Sequence, residues 1–374
     1  MTQAENFLQQ KLKERTDKGL LRKLTNLFLP VDFCSNDYLG FARSAALKKL
    51  IEEQISNIKP YQNGSGGSRL LSGNHPYTEK TEQFIADFHQ AETGLIFNSG
   101  YDANVGLLSS IPQRGDTIIT DELIHASLID GARLSYAERY KFKHNDLADL
   151  EQKLKAAKGL IYVVVESVYS MDGDLAPLQE ISNLCKLYNA HLIVDEAHAT
   201  GVIGEQGKGL VVKLSLENDV FARIVTFGKA LGTHGAIVLG SENLRNYLTN
   251  FARSFIYTTA APLHNIAAIN CAYQLLTKGD ETNEITKKIN LYNHLIKDLD
   301  LSIIPSQSAI QTILFNSNER ARTAAKNLQD KGYDVKAILS PTVPEGKERL
   351  RICLHTYNSD EEIIYLANHL KELQ

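Results

Sequence analysis

Four consecutive residues in the stretch LIVDEAHATG, residues 192–201, allow two different chemistries. Asp195, Glu196, Ala197 and His198 spell the box of a helicase-type NTPase. Alternatively, only Asp195 and His198 have a chemical role, and both side chains contact an organic cofactor. In that interpretation Glu196 and Ala197 are spacers in the turn that follows a strand.

A second motif tests the NTPase interpretation, because such enzymes need a phosphate-binding loop with the pattern G-x-x-x-x-G-K-[ST]. The chain has three Gly-Lys pairs, which end at Lys208, Lys229 and Lys347. None of these lysines is followed by serine or threonine, and Val202, Arg223 and Pro341 stand where the first glycine is required. The sequence therefore favours the cofactor interpretation.

A metal site on His191, Asp195 and His198 conflicts with the reach of an extended strand. Residues four apart in a strand are separated by roughly 13 Å, at about 3.3 Å per residue, which is too far for one ion to bridge. Asp195 and His198 span a strand-to-turn junction and could both reach one planar ligand. We predict no metal and interpret His191 as the start of a strand.

Lys229 supplies the third group that one particular cofactor needs. It lies in TFGKALGTHGA, with Thr226 three residues before it. Pyridoxal 5'-phosphate (PLP) requires a lysine for a Schiff base, a carboxylate beside its pyridine nitrogen and a phosphate pocket. A buried Asp195 needs a cationic partner, either a pyridinium nitrogen or an arginine. The helix that begins near Ser99 and Gly100 offers backbone N–H groups to a phosphate. The sequence therefore predicts a PLP site.

A mostly parallel sheet with crossover helices is expected to position these residues. Six short runs rich in β-branched residues recur between about residues 95 and 240, namely GLIF, TIIT, LIYVVV, HLIV, RIVT and AIVL. Ligands bind beyond the carboxyl ends of such strands. The residues at those ends include Ser99, Glu166, Asp195 and Lys229, so the pattern predicts an α/β fold with its site at one sheet edge.

The periodicity changes beyond residue 240 to long helical patterns and weaker strands, which indicates a second α+β domain. We predict an N-terminal helix and arm over residues 1–35, a large cofactor-binding domain over 36–245 and a small C-terminal domain over 246–374.

Composition narrows the class of protein. The chain has 374 residues, a net charge of -4 and four cysteines without a Cys-x-x-Cys pair. The charge argues against nucleic acid as a partner, and the cysteine pattern suits a reducing compartment. The amphipathic N-terminus has no continuous apolar segment of the kind found in secretion signals, and no stretch approaches the length of a membrane span. These observations predict a cytoplasmic enzyme with no membrane partner.

An ordered set of motifs across nearly the whole chain resembles the α-oxoamine synthase family of PLP enzymes. The motifs are SNDYLG, GSGGSRLLSGN, NSGYDAN, DELIHASL, ESVYSMDGD, VDEAHATG, TFGKALG, FIYTTAAP and PTVPEGKERLR. The resemblance implies a homodimer with shared active sites. It also implies the aspartate-aminotransferase-like fold (PLP fold type I), with a mostly parallel seven-stranded sheet and a smaller C-terminal domain.

The resemblance also implies a role for each matching residue. Lys229 would form the Schiff base, Asp195 would pair with the pyridinium nitrogen, His198 would contact the ring hydroxyl and His125 would stack on the ring. By position, the remaining cofactor contacts are Ser99, Gly100, Tyr101, Glu166, Ser170 and Thr226, with Thr258 and Thr259 reaching the phosphate from the neighbouring subunit. The residues that match substrate contacts are Arg22, Asn36, His125 and Arg351.

Members of this family condense an amino acid with an acyl thioester and release carbon dioxide. The compact length and the form of the motifs SNDYLG and GSGGSRLLSG favour a member that joins L-alanine to a pimeloyl thioester, carried by coenzyme A or a carrier protein. Glycine with acetyl-CoA, glycine with a succinyl thioester and serine with a palmitoyl thioester remain alternatives.

Two segments depart from the family pattern. LHTYNS (354–359) replaces the usual Ala-x-His, and the segment between GLLRKL and DFCSNDYLG is short. Both departures are expected near the entry of the acyl substrate.

Overall fold

A seven-stranded sheet forms the centre of the protein, and its elements follow one another in chain order. The structure, a computed structural model, describes residues 2–24 and 29–373. The N-terminal part contains α1 (Gln3–Asp17), β1 (Val31–Asp32), α2 (Ala45–Asn57) and α3 (Pro76–Phe88). The central part contains β2 (Thr93–Phe97), α4 (Gly100–Ser110), β3 (Thr117–Asp121), α5 (Ala126–Leu134), β4 (Glu138–Phe142), α6 (Leu147–Ala156), β5 (Ile161–Glu166), α7 (Leu178–Leu187), β6 (His191–Asp195), α8 (Leu210–Lys213), β7 (Val220–Thr226) and β8 (Ala236–Gly240). The C-terminal part contains α9 (Glu242–Phe251), α10 (Arg253–Ile256), α11 (Leu263–Lys278), α12 (Glu281–Ile296), β9 (Ile303–Ile304), β10 (Ile310–Phe315), α13 (Asn318–Asp330), β11 (Tyr333–Asp334), β12 (Lys336–Ile338), β13 (Glu348–Cys353) and α14 (Asp360–Lys371).

The strand order in the central sheet brings the predicted site residues to one edge. The order is β2-β8-β7-β6-β5-β3-β4, and β8 alone runs antiparallel to its neighbours. The carboxyl ends of β2, β3, β5, β6 and β7 therefore lie on the same side as the amino end of β8. The predicted α/β fold with a mostly parallel seven-stranded sheet is confirmed.

The inner strands of this sheet form because their sequences are apolar on both faces. All residues of β5 (IYVVVE) are buried, as are four of the five residues of β6. Branched side chains suit such doubly covered strands. The edge strand β4 (ERYKF) was not predicted, and its first four residues are exposed. An edge strand can leave most of its residues exposed to solvent. Because β4 is rich in charged residues, it lacks the hydrophobic pattern by which the other strands were predicted.

A smaller antiparallel sheet lies in the C-terminal part, with the strand order β12-β13-β10-β9. The N-terminal segment joins this part, because β1 pairs in parallel with β11 through Val31 opposite Tyr333 and Asp32 opposite Asp334. Segments from the two ends of the chain therefore meet. The domain boundaries given above stay a prediction.

The N-terminal helix and the cysteines agree with their sequence patterns. Helix α1 begins after Thr2, whose hydroxyl accepts a hydrogen bond from the amide of Glu5. Cys34 is partly buried, and Cys185, Cys271 and Cys353 are buried free thiols. Within residues 2–24 and 29–373, no helix is both long and apolar enough to cross a bilayer.

Candidate active site

A pocket of about 270 Å³ opens where the carboxyl ends of the parallel strands meet. Its walls come from strand ends, from the first turns of two helices and from the loop between β7 and β8. The predicted residues among its lining are Asn36, Ser99, Gly100, Tyr101, His125, Glu166, Asp195, His198, Thr226 and Lys229.

Lys229 and His198 form a direct pair at the bottom of this site. The Lys229 Nζ lies 2.8 Å from the His198 Nε2. Burial lowers the pKa of Lys229 to about 8, although Asp195 and Glu166 act in the opposite direction. Burial and the neighbouring Lys229 also lower the pKa of His198, so its imidazole is neutral. The neutral Nε2 accepts from the lysine, and the proton of the imidazole then resides on Nδ1.

Asp195, at the end of β6, is held by two hydrogen bonds inside the protein. The side chain of Asn104 donates to its Oδ2 at 2.9 Å, and the amide of Ala197 donates to its Oδ1 at 2.9 Å. A carboxylate offers about four lone-pair positions, so these two bonds leave room for a further donor. We call Lys229, His198 and Asp195 the lysine region.

Glu166 ends the neighbouring strand β5 beside this aspartate. Burial and the nearby Asp195 raise the pKa of Glu166 to about 8. Its Oε2 accepts from the amide of Ser170 at 3.2 Å, whereas its buried Oε1 has no hydrogen-bond partner among the described residues. A protonated Glu166 can therefore donate a hydrogen bond into the pocket at neutral pH.

The start of α4 and the end of β7 form a cradle for an anion. Ser99 caps α4, and its hydroxyl accepts from the amide of Asp102 at 3.0 Å. A Cβ on Gly100 would lie 2.7 Å from the Thr226 Cγ2, so only glycine allows this close approach. The hydroxyl of Thr226 is buried without a hydrogen-bond partner among the described residues. Unpaired helix N–H groups together with an unpaired hydroxyl suit a phosphate.

Tyr101 and His125 contribute from the first turns of α4 and α5. Tyr101 is half-exposed at the rim, and its hydroxyl donates to Asp130 at 2.8 Å. His125 caps α5 by accepting at Nδ1 from the amide of Ser127 at 3.2 Å. Burial lowers the pKa of His125, so its ring is neutral and presents Nε2 as its remaining polar atom.

Arg351 and Asn36 form what we call the carboxylate corner. The Arg351 Nη2 donates to the Asn36 Oδ1 at 2.9 Å, and its Nε donates to the backbone oxygen of Ser170 at 2.7 Å. Arg351 is buried on β13, and Asn36 lines the pocket. Ser170 thus acts here through its backbone, which holds both Arg351 and Glu166 in place.

Tyr38 connects the lysine region to the carboxylate corner. It was not identified as a site residue from the sequence, although it lies in the motif SNDYLG. Its hydroxyl lies 2.8 Å from the His198 Nδ1 and donates to the Asn36 Oδ1 at 3.1 Å. A continuous set of hydrogen bonds therefore runs from Lys229 through His198, Tyr38 and Asn36 to Arg351. Asn104 was also missed, although its position four residues after Gly100 places both on one helix face.

The interpretation of Glu196 as a spacer is wrong. Its carboxylate is fully buried, accepts from the amide of Val211 at 3.0 Å and lies 3.9 Å from the Arg223 guanidinium. Successive side chains leave a strand on opposite faces, so Glu196 faces away from Asp195. It anchors the turn that carries both Asp195 and His198.

Five predicted residues do not line the pocket of this chain, namely Ser170, Arg351, Arg22, Thr258 and Thr259. Ser170 and Arg351 support its wall, as described above. Arg22 is exposed and lies 3.4 Å from the Thr342 hydroxyl in a separate groove. Thr258 and Thr259 contact Asn98, whose amide nitrogen lies 3.1 Å from the Thr258 Oγ1 and 2.8 Å from the Thr259 oxygen. Their roles toward substrate and toward a neighbouring subunit remain predictions.

The residues present fit PLP on their own chemistry. The pocket contains a partly buried lysine, a buried carboxylate with free lone pairs and a cradle in which the buried Thr226 hydroxyl has no partner among the described residues. These are the three groups that PLP requires of a protein.

Comparisons with known proteins agree with this chemistry. The model of the aminotransferase class I and II family matches residues 30–370. The 8-amino-7-oxononanoate synthase of Emericella nidulans is 45% identical over 385 residues, which cover 95% of this chain and 92% of that protein. The corresponding enzyme of Marinobacter nauticus is 40% identical and covers 91% of this chain and 86% of its own length.

Solved structures share the fold. A structure of SPT (serine palmitoyltransferase) with a PLP internal aldimine has a TM-score of 0.90 and 25% identity, and the match covers 100% of this chain and 98% of that one. The 8-amino-7-oxononanoate synthase of Francisella tularensis has a TM-score of 0.79 and 28% identity, with 91% and 97% covered.

Proposed function

Because this chain belongs to the aminotransferase class I and II family, within its α-oxoamine synthases, we propose that it makes 8-amino-7-oxononanoate from L-alanine and a pimeloyl thioester. In this reaction a carbon–carbon bond forms between the α-carbon of alanine and the thioester carbonyl carbon. The thiol leaves, and the alanine carboxylate leaves as carbon dioxide. The product is a precursor of biotin.

One observation carries the proposal. Lys229, His198 and Asp195 meet at one sheet edge, and hydrogen bonds through Tyr38 join Lys229 and His198 to the carboxylate corner. A site of this kind can hold an amino acid by its carboxylate while a lysine stands beside its α-carbon.

PLP, when bound, supplies an electron sink for negative charge at the α-carbon of the amino acid. Asp195 would keep its pyridine nitrogen protonated, and Thr226 with the start of α4 would hold its phosphate. Lys229 would attach it covalently, and His125 would lie against its ring. Glu166 completes the wall beside Asp195.

Lys229 is also suited to move the α-proton. An ordinary lysine is protonated at neutral pH, but burial lowers the pKa of Lys229 to about 8. A general base works best when its pKa lies near the working pH. The neutral His198 beside it accepts a hydrogen bond and can orient the amine.

Arg351 and Asn36 would hold the amino-acid carboxylate. A guanidinium binds a carboxylate through two parallel hydrogen bonds, which also fixes its orientation. The neutral His125 can approach the same carboxylate from the opposite wall. Arg22 lies in a groove with Leu20, Leu21 and Met171, and we assign it to the acyl substrate.

We further propose that the enzyme is a homodimer and accepts its acyl group from coenzyme A or from a carrier protein. Thr258 and Thr259 lie next to Asn98 and outside the pocket of their own chain. In a dimer with shared sites they would reach the phosphate bound by the neighbouring subunit.

A matrix of substrates tests the function. L-alanine, glycine and serine are each combined with pimeloyl, acetyl, succinyl and palmitoyl thioesters, and thiol release is measured. We expect kcat/KM for L-alanine with the pimeloyl thioester to exceed every other pair by at least about tenfold. Dominant turnover of glycine with acetyl-CoA would instead assign the chain to a different reaction of the same family.

A further inference from the structure

The segment LHTYNS, which departs from the family pattern, builds a three-layer stack. The rings of His355 and Tyr357 lie 4.6 Å apart between centroids and are tilted by only 8°. The guanidinium of Arg43 forms the third layer, and its central carbon lies 3.7 Å from the centroid of the Tyr357 ring. None of these three residues lines the catalytic pocket. We call Arg43, Tyr357 and His355 the stack.

The stack holds the turn that precedes Asn36. The fully buried His355 places its Nδ1 3.1 Å from the backbone oxygen of Asp32 and its Nε2 3.2 Å from the hydroxyl of Ser35. Tyr357 donates its hydroxyl to the Asp32 Oδ2 at 2.9 Å. Both polar rings therefore fix the backbone immediately before Asn36.

The side chain of Asp32 stabilises the same turn by hydrogen bonds to its backbone. Its Oδ1 accepts from the amides of Cys34 and Ser35, each at 2.9 Å. Burial opposes its ionisation, but these amide hydrogen bonds outweigh burial and lower the pKa of Asp32. The carboxylate is therefore charged at neutral pH and accepts from Tyr357 as well.

The same C-terminal segment also holds the chain on both sides of Asn36. The amide of Cys353 donates to the oxygen of Phe33 at 2.8 Å, and the amide of Thr356 donates to that of Tyr38 at 2.9 Å. Arg351 lies two residues before Cys353 on the same strand. Asn36 and Arg351 are thus presented to each other by two segments that the stack fastens together.

The planar contacts of Arg43 matter more than its charge. Its guanidinium lies 3.0 Å from Asp32 and 3.5 Å from Asp37, but about half of the side chain is exposed. Exposed ion pairs contribute little to stability. A guanidinium over an aromatic face adds attraction that a lysine cannot reproduce in the same geometry.

We propose that the stack of Arg43, Tyr357 and His355 is a positioning device that sets the affinity of the Asn36–Arg351 pair for the amino-acid carboxylate. The inference rests on the proposed function, because it assumes that this pair binds the carboxylate. The stack contacts neither cofactor nor substrate. It acts by keeping the Asn36 Oδ1 on the Arg351 guanidinium and on the Tyr38 hydroxyl.

The test compares Tyr357→Ala and Tyr357→Phe in the PLP-loaded enzyme. Binding of L-alanine is titrated through the visible absorption of the holoenzyme, without any thioester. Tyr357→Ala should raise the dissociation constant about tenfold, whereas Tyr357→Phe, which keeps the stack, should raise it less than about threefold. At saturating L-alanine, kcat of both should stay within about twofold of wild type, and the affinity for PLP should not change.

Three further variants serve as controls. Tyr365→Ala removes an exposed tyrosine from α14 and should leave alanine binding unchanged. Arg43→Ala removes the exposed layer of the stack and should raise the dissociation constant about threefold even if Tyr357→Ala fails to fold. Arg43→Lys, which keeps the charge, should not restore binding.

The possible outcomes distinguish a failure of this inference from a failure of the proposed function. Unchanged alanine binding in both Tyr357→Ala and Arg43→Ala overturns the inference and leaves the function intact. An equal loss of PLP affinity, kcat and alanine binding also overturns it, since the stack would then only stabilise the fold. Weaker alanine binding in an enzyme that consumes no pimeloyl thioester supports the inference and rejects the function.

Discussion

The lysine region and the carboxylate corner share one hydrogen-bond network, but they are assembled in different ways. Asp195 and Lys229 follow neighbouring strands of one parallel sheet, so strand pairing alone brings them together. Asn36 and Arg351 are separated by 315 residues and meet only because two segments pack against each other. The proposed chemical groups are therefore placed by strand pairing, whereas the proposed carboxylate-binding pair is placed by packing between distant segments.

The largest effect is expected in the lysine region. Lys229→Ala should reduce turnover at least about a thousandfold, because it removes both the proposed attachment point of PLP and the proposed general base. Thiol release measures the loss, and the visible absorption of the cofactor should change with it. Lys208→Ala, in another Gly-Lys pair, is the matched control and should remain active. Substantial turnover by Lys229→Ala would remove this residue from the mechanism.

A smaller and different effect is expected in the carboxylate corner. Arg351→Lys keeps the positive charge but loses the planar fork, so KM for L-alanine should rise about thirtyfold while kcat falls less. Steady-state kinetics at varied alanine concentration separate the two values. Arg320→Lys, at an exposed position on α13, should leave both unchanged. If kcat fell and KM did not, Arg351 would belong with the chemistry and the comparison would fail.

The smallest effect on catalysis is expected behind the sheet edge, at His144. Its Nδ1 lies 3.1 Å from Asp121 at the end of β3, and its Nε2 lies 2.8 Å from Asp174. Burial disfavours the charged ring, but the two carboxylates outweigh burial and raise the pKa of His144 to about 10. His144→Gln should change kcat less than about threefold, since the ring contacts no reacting atom.

The stability of the same variant should depend on pH. A histidine whose pKa is raised by folding stabilises the protein fully below its unfolded value of about 6.5, and the contribution is lost as pH rises towards 10. His144→Gln should therefore unfold more easily than wild type by about 2 kcal/mol at pH 6, and the difference should shrink towards pH 10. Urea denaturation at the two pH values measures it, with His294→Gln on α12 as an exposed control. A difference independent of pH would show that packing and not charge is responsible.

The sequence predicted the pocket residues at the strand ends because the ends of parallel strands converge whenever those strands pair. Ser99, Glu166, Asp195 and Lys229 all follow runs of apolar residues, so their positions needed no knowledge of packing. The role of Glu196 was misjudged, although alternation along a strand places it on the face opposite Asp195. A carboxylate on that buried face had to have partners within the protein.

The rest of the site could not be read from local patterns. Tyr38 joins His198 to Asn36 through contacts that span 160 residues, and no periodicity encodes such a distance. The stack likewise joins distant segments, because Arg43 and Tyr357 both contact Asp32 in β1. Strand β1 and its partner β11 are each only two residues long. Short strands of this kind give too little signal for prediction.

The antiparallel strand β8 has a consequence for how the lysine works through a catalytic cycle. Residues 227–235 connect β7 to the adjacent β8, so the connection returns at once to the same sheet. The amide of Phe227 donates to Gly235, that of Thr233 to Phe227 and that of Gly232 to Lys229, each at 2.9 Å. Gly232 adopts a φ of 60°, and any side chain there would collide with the backbone at Ala42. These contacts hold the main chain of the loop, so movement of the Lys229 Nζ towards or away from a bound group would come from rotation of its own side chain.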